Sequence, residues 1–402
     1  MTITINNKNK KPNVPNSTDK GNAIRNLPNL RFPEFREEWE EHELSEYLDF
    51  KNGLNPKPNQ FGKGIKFISV MDILNNAVIT YDCIRASVSV SEEDMSAFSV
   101  QKGDILFQRS SETLEDVGRA NVYVDDIPAV FGGFVIRGKQ KTNYNPLFFK
   151  YLLSSPLARK RIIRMGAGAQ HFNIGQEGLS KVKLPFACID EQNKIAKIIY
   201  LLDKRISLQN KIIEDLKKLK SAISERLFKS VKGFTVLLSD LCDIVKGKQI
   251  NGENLSDSGN YYVMNGGTEP SGYYDNYNVE ASTISISEGG NSCGYVQFNT
   301  SPFWSGGHCY SIQNIADKVD NMYLYHYLKS NEDAIMKLRI GSGLPNIQKK
   351  DLAMFKIIVP KIEWQIKIST FLSSLERKAE IEERIQNVMQ KQKLYLLQQM
   401  FI

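Results

Sequence analysis

The chain contains 402 residues, of which 41 % are hydrophobic and 24 % are charged, and this composition indicates a globular protein of two or three domains. No run of about eighteen apolar residues occurs, so the sequence predicts no transmembrane helix, and we expect a soluble, cytoplasmic protein. The formal net charge is +7 at pH 7. The basic residues are spread along the chain, which favours a polyanionic partner, although an ordinary solvated basic surface accounts for the charge as well.

The cysteines and histidines show no metal-binding or disulfide pattern. The five cysteines are odd in number and form no CxxC pair, and they are Cys83, Cys188, Cys242, Cys293 and Cys309. We predict that they are reduced core thiols. The four histidines lack the spacing of ligand pairs on a helix, and they are His42, His171, His308 and His326. The sequence therefore predicts no metal site.

The first part of the chain changes character at about residue 30. Residues 1–29 begin rich in Asn, Lys and Pro without an apolar run, which predicts a disordered tail and not a secretory signal. Residues 30–187 contain short β-like runs between Gly-, Asn- and Pro-bearing turns, and these runs are Ile65–Val70, Asp104–Phe107 and Ala129–Arg137. A short helix at Pro146–Ser154 and a Gly-rich loop at Arg164–Ile174 follow. These elements predict a mixed α/β domain.

A long helix is predicted next, within residues 188–230. Asp190–Phe228 lacks Gly and Pro, and its apolar residues recur in a heptad register, at Ile195, Leu202, Leu216 and Ile223. At about 1.5 Å per residue the helix would be roughly 55–60 Å long, so its apolar stripe needs a partner. Glu363–Phe401 repeats the pattern at a constant offset, with Leu375, Ile385, Met389 and Leu396 among the matching positions. We predict that the two helices pack antiparallel through these eight residues.

The second half of the chain repeats the first in order. Leu44-Ser45-Glu46 is matched by Leu238-Ser239-Asp240, Gly53 by Gly247, and Phe131-Gly132-Gly133 by Ser305-Gly306-Gly307. A short helix at Asn321–Ser330 and a Gly-rich loop at Arg339–Ile347 follow as before. Repetition at this length predicts duplicated domains and not a solenoid. Two unrelated amphipathic helices are the alternative, which the repeated flanking segments disfavour.

The predicted fold class is therefore α+β, with two mixed α/β domains separated by two long antiparallel helices in a pseudo-two-fold repeat. The domains and helices follow each other in the order tail 1–29, domain 30–187, helix 188–230, domain 231–361 and helix 362–402. The two domains have diverged more than the parts around them. Two divergent surfaces on one scaffold favour the recognition of two different ligands.

Catalytic motifs are not found in the sequence. There is no GxxxxGK[ST] loop, HExxH or GxSxG, and Asn143-Tyr144-Asn145-Pro146 lacks the second Pro of the Asn-Pro-Pro-aromatic methyltransferase motif. Gly166-Ala167-Gly168 and Gly341-Ser342-Gly343 do not open a helix behind a strand of a βαβ unit. Glu288 has no identifiable partner as an active-site acid. We predict no catalytic residues and no cofactor in this chain.

The loops of both domains carry cations suited to phosphates and amides suited to base edges. The candidate DNA-binding residues are Lys51, Asn55, Lys57, Gln60, Lys63, Arg109, Arg119, Gln170, His171 and Asn173 in the first domain. In the second domain they are Lys246, Lys248, Gln249, Asn251 and Asn346. Side chains of these types also form turns, so each residue alone is a hypothesis.

Taken together, these features resemble a known family. The two-fold repeat, the Leu-Ser-Glu and Leu-Ser-Asp openings, and the loop Gly-Ser-Gly-Leu-Pro-Asn-Ile resemble the specificity (S) subunit of type I restriction-modification enzymes. Leu184-Pro185, Glu191-Gln192 and Ile195 fit the family pattern that leads into the long helix. In the second copy Val359-Pro360 fits, whereas Trp364 stands where Glu is usual. The resemblance covers nearly everything after residue 30.

The resemblance implies a non-catalytic adaptor. Each of two target-recognition domains would read one half of a split, asymmetric site in double-stranded DNA, and the two helices would set the spacing of the half-sites. Two modification subunits carrying S-adenosylmethionine would methylate adenine. Two restriction subunits would add ATP-driven translocase and nuclease activity, so S-adenosylmethionine, ATP and Mg are expected in the partners. The alternative is a duplicated-domain scaffold or interaction protein that does not bind nucleic acid.

Overall fold

The computed structural model describes residues 4–5, 26–341, 343 and 345–402. It divides into two compact units: unit 1 comprises residues 1–209 and 386–402, and unit 2 comprises residues 210–385. Most of the predicted tail of residues 1–29 lies outside the described residues, as do Ser342 and Leu344 of the second Gly-rich loop. Within the tail, Thr4–Ile5 pairs with the strand Leu30–Arg31, and the carbonyl of Asn26 accepts a hydrogen bond from the amide of Trp39. Among the described residues, no helix is both long and apolar enough to cross a membrane.

Unit 1 is built on two four-stranded sheets. The first is antiparallel, in the order Ala120–Val122, Ile105–Gln108, Val135–Gln140 and Leu48–Asn52. The second has the order Ser87–Val88, Phe61–Ile68, Ala129–Phe131 and Ser99–Val100, and its two middle strands are parallel. The shorter strands are Glu40–Glu43 with Lys183–Phe186 and Ser110–Ser111 with Phe172–Asn173. The helices are Leu44–Tyr47, Val70–Asn75, Glu92–Phe98, Pro146–Leu153, Pro156–Ile163 and Gln176–Ser180, and Pro58–Gln60 is a 3₁₀ turn.

Unit 2 repeats this arrangement in a smaller form. Its antiparallel sheet has the order Asp243–Lys246, Cys309–Gln313, Thr283–Ser287 and Val296–Asn299, which is the first sheet of unit 1 listed from its other edge. A three-stranded sheet of Tyr273–Tyr274, Tyr261–Met264 and Trp304–Ser305 again contains one parallel pair. Phe234–Leu237 pairs with Lys356–Val359. The short helices are Asn321–Ser330, Glu332–Met336 and Lys349–Ala353, with 3₁₀ turns at Leu238–Asp240 and Gly252–Asn254. The predicted duplication of mixed α/β domains is confirmed.

Two long helices contribute to both units. The first is Ile189–Ser230 and the second is Ile362–Gln399, each within two residues of the predicted stretches Asp190–Phe228 and Glu363–Phe401. In unit 2, Lys217 pairs with Glu383 at 2.6 Å and Lys220 pairs with Glu376. Since the first helix ascends from 217 to 220 as the second descends from 383 to 376, the helices run antiparallel there, as predicted.

A reciprocal ion pair joins the long helices in each unit. In unit 1 the acid is on the first helix, where Asp203 pairs with Lys393 at 2.6 Å and accepts a hydrogen bond from Tyr151 Oη at 2.9 Å. In unit 2 the acid is on the second helix, where Glu376 pairs with Lys220 and accepts from Tyr325 Oη at 3.1 Å. The two helices have exchanged roles, as a pseudo-two-fold repeat requires.

Most of the predicted packing residues lie on the helix seam. Ile195 and Met389 are buried, and the half-buried ones are Leu202, Leu216, Ile223, Leu375 and Leu396. Ile385 differs from them, because its side chain is 39 % exposed, so packing against the other long helix is not supported and its packing against a partner subunit stays a prediction. The less exposed positions in that stretch are Glu382, Glu383, Gln386 and Met389.

A buried glutamine starts each long helix. Gln192 Oε1 accepts from the amide of Asn145 and its Nε2 donates to the carbonyl of Ala187, both at 2.9 Å. Gln365 makes the same pair of contacts in unit 2, with Asp320 at 2.9 Å and Pro360 at 2.8 Å. These bonds tie the helix start to the cap of the preceding short helix, which accounts for the repeated Gln.

The residue before that glutamine differs between the units. Glu191 is fully buried and accepts hydrogen bonds from Arg31 Nε at 2.7 Å, Arg31 Nη2 at 2.8 Å and Trp39 Nε1 at 3.0 Å. Trp364 holds the matching position in unit 2 and is 59 % exposed. In unit 2 the first long helix is followed directly by the strand Phe234–Leu237. No segment corresponding to residues 26–39 therefore supplies an Arg and a Trp beside Trp364. The departure from the family pattern thus follows from a missing partner.

The cysteines are free thiols, but not all are in the core. Cys242, Cys293 and Cys309 are buried and Cys83 is half-buried. Cys188 is exposed because it lies in the short connection between the strand Lys183–Phe186 and the first long helix. The prediction of a core thiol was therefore wrong for Cys188.

His326 is a buried histidine from which we expect a pH dependence of the stability of unit 2. Its Nε2 lies 2.9 Å from Ser373 Oγ, the charges of Glu376, Lys220 and Asp320 act on the ring, and burial lowers the pKa of His326 to about 4. The unfolded chain takes up this proton near pH 6.5, whereas the folded chain does not. We expect the free energy of unfolding to fall as pH drops from about 6.5 to 4, by roughly 3 kcal/mol in total.

Denaturant unfolding at pH 7 and pH 4.5 checks this expectation. His326→Gln keeps a hydrogen-bonding partner for Ser373 but removes the titrating group, so its stability should fall less on acidification than that of the wild type. Parallel losses in the two proteins would show that other groups control the acid sensitivity.

Candidate nucleic-acid interface

Six backbone hydrogen bonds join the loops at one end of the antiparallel sheet in unit 1, and we call them the turn frame. The amides of Gly53, Leu54, Arg109, Gly132, Val135 and Ile174 donate, at 2.8–3.1 Å, to the carbonyls of Val135, Phe131, Phe134, Ile68, Gly132 and Arg109 respectively. The bond from Val135 to Gly132 closes a tight turn with Gly133 and Phe134 at its centre. The frame thus fixes this turn, two strand ends and the end of the Gly-rich loop as one support.

Unit 2 contains the same six bonds in the same order. The amides of Gly247, Lys248, Glu288, Gly306, Cys309 and Ile347 donate, at 2.8–3.1 Å, to the carbonyls of Cys309, Ser305, His308, Met264, Gly306 and Glu288 respectively. The Gly-rich loops are also closed alike. Ala167 and Asn173 exchange two backbone hydrogen bonds in unit 1, and Ile340 and Asn346 exchange two in unit 2.

Close backbone approach explains the matched pair Gly53 and Gly247. A Cβ atom at Gly53 would lie 2.0 Å from the carbonyl oxygen of Gly132, and one at Gly247 would lie 2.1 Å from that of Gly306. Real Cβ atoms do not approach backbone oxygens so closely. Only glycine therefore permits the frame at these positions.

The side chains on the two frames differ. Arg109 in unit 1 corresponds to Glu288 in unit 2, and Phe134 corresponds to His308. Because main-chain groups hold the frame together, the side chains are not needed to build it. One support can therefore carry two chemically different surfaces.

In unit 1 the frame brings together three of the candidate DNA-binding residues. Arg109 Nη1 donates to the carbonyl of Gly133 at 3.3 Å, and Asn55 Oδ1 lies beside Gly133. Asn173 accepts a hydrogen bond from the Oγ of Ser110, which is the residue that directly follows Arg109 in the sequence. Gln170 and His171 are exposed in the same Gly-rich loop.

Five other candidates of unit 1 are not part of the turn frame. Gln60 organises its own 3₁₀ turn, accepting from the amide of Lys57 at 2.7 Å and donating to the carbonyl of Ser89 at 3.1 Å. Lys63 is exposed on the following strand. Lys51 and Arg119 have partners within the unit. Lys51 Nζ lies 4.7 Å from the centre of the Phe98 ring, and Arg119 pairs with Asp116 at 2.6 Å. Their contact with DNA stays a prediction.

In unit 2, Lys246 is joined to a buried acid. Lys246 Nζ lies 2.7 Å from Glu288 Oε1, which also accepts from Tyr310 Oη at 3.1 Å. Glu288, for which the sequence indicated no partner, therefore has two. Its carboxylate compensates the positive charge that Lys246 would offer to a phosphate.

The remaining candidates of unit 2 surround the frame or follow it. Gln249 lies beside Gly307, and the carbonyl of Lys248 accepts from Trp304 Nε1 at 2.9 Å. Asn251 is exposed at the start of the turn Gly252–Asn254. Asn346 is exposed on its loop, where it also bridges to Gly289.

Sequence reasoning missed two residues on the frame, Phe134 and His308. Both are exposed and directly follow the repeated Gly-Gly pair. The predicted β-run Ala129–Arg137 includes Phe134, but the strand ends at Phe131 and the next one begins at Val135. The spacing of His308 predicts no metal site and indicates no other role. The Gly-Gly pair was the available signal, since such pairs mark turns.

The long helices also carry exposed apolar side chains in each unit. In unit 1 these residues are Ile189, Leu201, Leu208, Val388, Leu394 and Tyr395. In unit 2 they are Ile212, Leu219, Ile362, Trp364, Ile366, Phe371, Ile381 and Ile385. Exposed apolar side chains on a helix are available for burial against a binding protein.

Comparison with known proteins gives consistent matches. Residues 36–218 and 233–391 match the family described as type I restriction modification DNA specificity domain. A protein of Methanocaldococcus jannaschii named as the type I restriction enzyme MjaX specificity subunit is 25 % identical over 408 residues, covering 92 % of this chain and 94 % of the relative. A Mycoplasma genitalium protein named as a type I specificity subunit is 34 % identical over 122 residues, 30 % of this chain and 31 % of the relative.

Solved structures share the fold. The crystal structure of the type I restriction-modification system S subunit from M. genitalium has a TM-score of 0.66 at 18 % identity, covering 94 % of this chain and 99 % of that one. A chain from a structure on complex assembly and conformational transition of the type I system has a TM-score of 0.55 at 15 % identity, covering 89 % and 96 %.

Proposed function

Because the chain belongs to the family of type I restriction-modification DNA specificity subunits, which are not catalytic, we propose that each unit reads one half of a bipartite, asymmetric site in double-stranded DNA. The observation that carries this proposal is the turn frame, which occurs twice with the same backbone bonds and different side chains. Two rigid supports with different side chains suit two different half-sites.

The chemistry around the first frame suits base reading. Arginine pairs with guanine and asparagine with adenine in the major groove, and the first frame carries Arg109, Asn55 and Asn173. Phosphate contacts would come from the distributed basic residues, which give the chain its formal charge of +7. Binding to DNA should therefore weaken steeply as salt rises from about 50 to 200 mM, which the alternative of a scaffold without nucleic acid does not predict.

The long helices are proposed to dock the partners. Two modification subunits would cover the exposed apolar residues of the helices, since burying such surface stabilises protein complexes. Two restriction subunits would complete the assembly. S-adenosylmethionine, ATP and Mg would be bound by those partners, and the complex would act in the cytoplasm on cellular DNA.

Domain exchange tests the proposal. Replacing residues 30–187 with the corresponding segment of another family member, in complex with the modification subunits, should change one half of the methylated motif and leave the other half intact. The reason is that each unit has its own core and its own turn frame. Methylome sequencing gives the result.

The matched control replaces residues 231–361 instead, and it should change only the opposite half of the motif. A single exchange that altered both halves would contradict independent reading by the two units. An exchange that altered neither half would remove the units from recognition altogether.

A further inference from the structure

Phe134 is the most exposed large apolar side chain described in unit 1, with 69 % of its surface accessible. It lies at the centre of the turn closed by the bond from Val135 to Gly132, and its own carbonyl accepts from Arg109 at 2.9 Å. Its backbone is therefore fixed while its ring projects into solvent. A rigid support lowers the entropy that an exposed anchor loses on binding.

The polar groups around this ring indicate what it meets. Arg109 and Asn55 both approach the same turn at Gly133. In the major groove these residue types read guanine and adenine, and the groove also exposes one apolar group, the C5-methyl of thymine. The minor groove offers no such methyl group, and residues that wedge into it need a base step and not a base edge.

We propose that Phe134 is a specificity-determining residue that packs on the C5-methyl group of a thymine in the half-site read by unit 1. The proposal rests on the proposed function and adds one contact to it. His308 holds the matching position in unit 2, where its ring nitrogens offer a hydrogen bond in place of an apolar contact. Unit 2 therefore has no methyl requirement from this position.

The test removes the methyl group and the ring separately. The chain is assembled with its modification subunits and bound to duplexes carrying the methylated motif, in which each thymine of the first half-site is replaced in turn by deoxyuridine. We expect one replacement to weaken binding about fourfold to tenfold. Phe134→Ala should cause the same loss on the thymine duplex and no further loss on that deoxyuridine duplex.

Two controls show that the effect is specific. His308→Ala should leave the sensitivity of the first half-site to deoxyuridine unchanged. The complex that contains Phe134→Ala should keep the wild-type methylation preference among sites that differ only in their second half. This result would show that the variant is folded and assembled.

The inference is overturned if Phe134→Ala discriminates thymine from deoxyuridine as well as the wild type does, if no position is sensitive, or if the first half-site contains no thymine. It is also overturned if Phe134→Ala only reduces DNA bending, because that result would assign a wedge. If the wild-type complex does not prefer the motif over a scrambled duplex, the proposed function fails instead, so the two failures are distinguishable.

Discussion

Glu191→Ala is expected to lower the free energy of unfolding of unit 1 by about 3–5 kcal/mol. Glu191 is fully buried and accepts two hydrogen bonds from Arg31, which is 7 % exposed, and one from Trp39. Alanine would leave a buried guanidinium and a buried indole N–H without their acceptor. Such an uncompensated buried charge costs far more than an exposed ion pair contributes.

Denaturant unfolding measures this loss, and unit 2 offers a matched control. Trp364→Ala changes the corresponding position where the side chain is exposed, so it should alter stability by less than about 1 kcal/mol. The double substitution Arg31→Met with Glu191→Leu removes both charges and should recover much of the loss. A Glu191→Ala variant as stable as the wild type would show that Arg31 finds another partner or solvent.

Gly247→Ala is expected to disrupt the turn frame of unit 2 and to abolish reading of one half-site. The added Cβ would lie 2.1 Å from the Gly306 carbonyl oxygen and 2.4 Å from that of Ser305, and both oxygens belong to the frame. Relieving these clashes requires backbone movement, which costs about 1–3 kcal/mol or more. We expect lower thermal stability and at least about a hundredfold loss of affinity for the motif, since misplaced side chains lose several base contacts.

Gly252→Ala is the control for this variant, because a Cβ at Gly252 has no atom within 4 Å. It should bind and unfold like the wild type. Gly53→Ala should reproduce the defect in unit 1, where the clash with Gly132 is as close. Full motif binding by Gly247→Ala would contradict the role of the frame.

The long helices and the duplication could be predicted from sequence because their signals are local. A stretch without Gly or Pro and with heptad apolar residues specifies a helix whatever it packs against. The seam was harder, because Ile385 is apolar but outward while Glu382 and Gln386 are polar and inward. Hydrophobicity alone does not fix which row of a helix meets its partner.

The candidate site depended on contacts between residues far apart in sequence. Gln60 and Lys246 have residue types suited to nucleic acid, but their bonds to Ser89 and Glu288 form only after the chain has folded. Phe134 has apolar neighbours in the sequence, so the pattern predicts a continuous strand where the structure has a turn. The Gly-Gly pair marks the turn locally, but the bonds that join this turn to Ile68, Gly53 and Arg109 are long-range and are not visible in a local pattern.

The turn frame also bears on how such a protein changes over generations. Its bonds use amides and carbonyls, so exchanging Arg109, Phe134 or His308 for any residue except proline removes none of the groups that form them. Under the proposed function, a point mutation there would alter which bases are favoured while the backbone bonds of the frame persist. New sequence preferences would then arise by single steps, independently in each half, with the support of the reading surface kept.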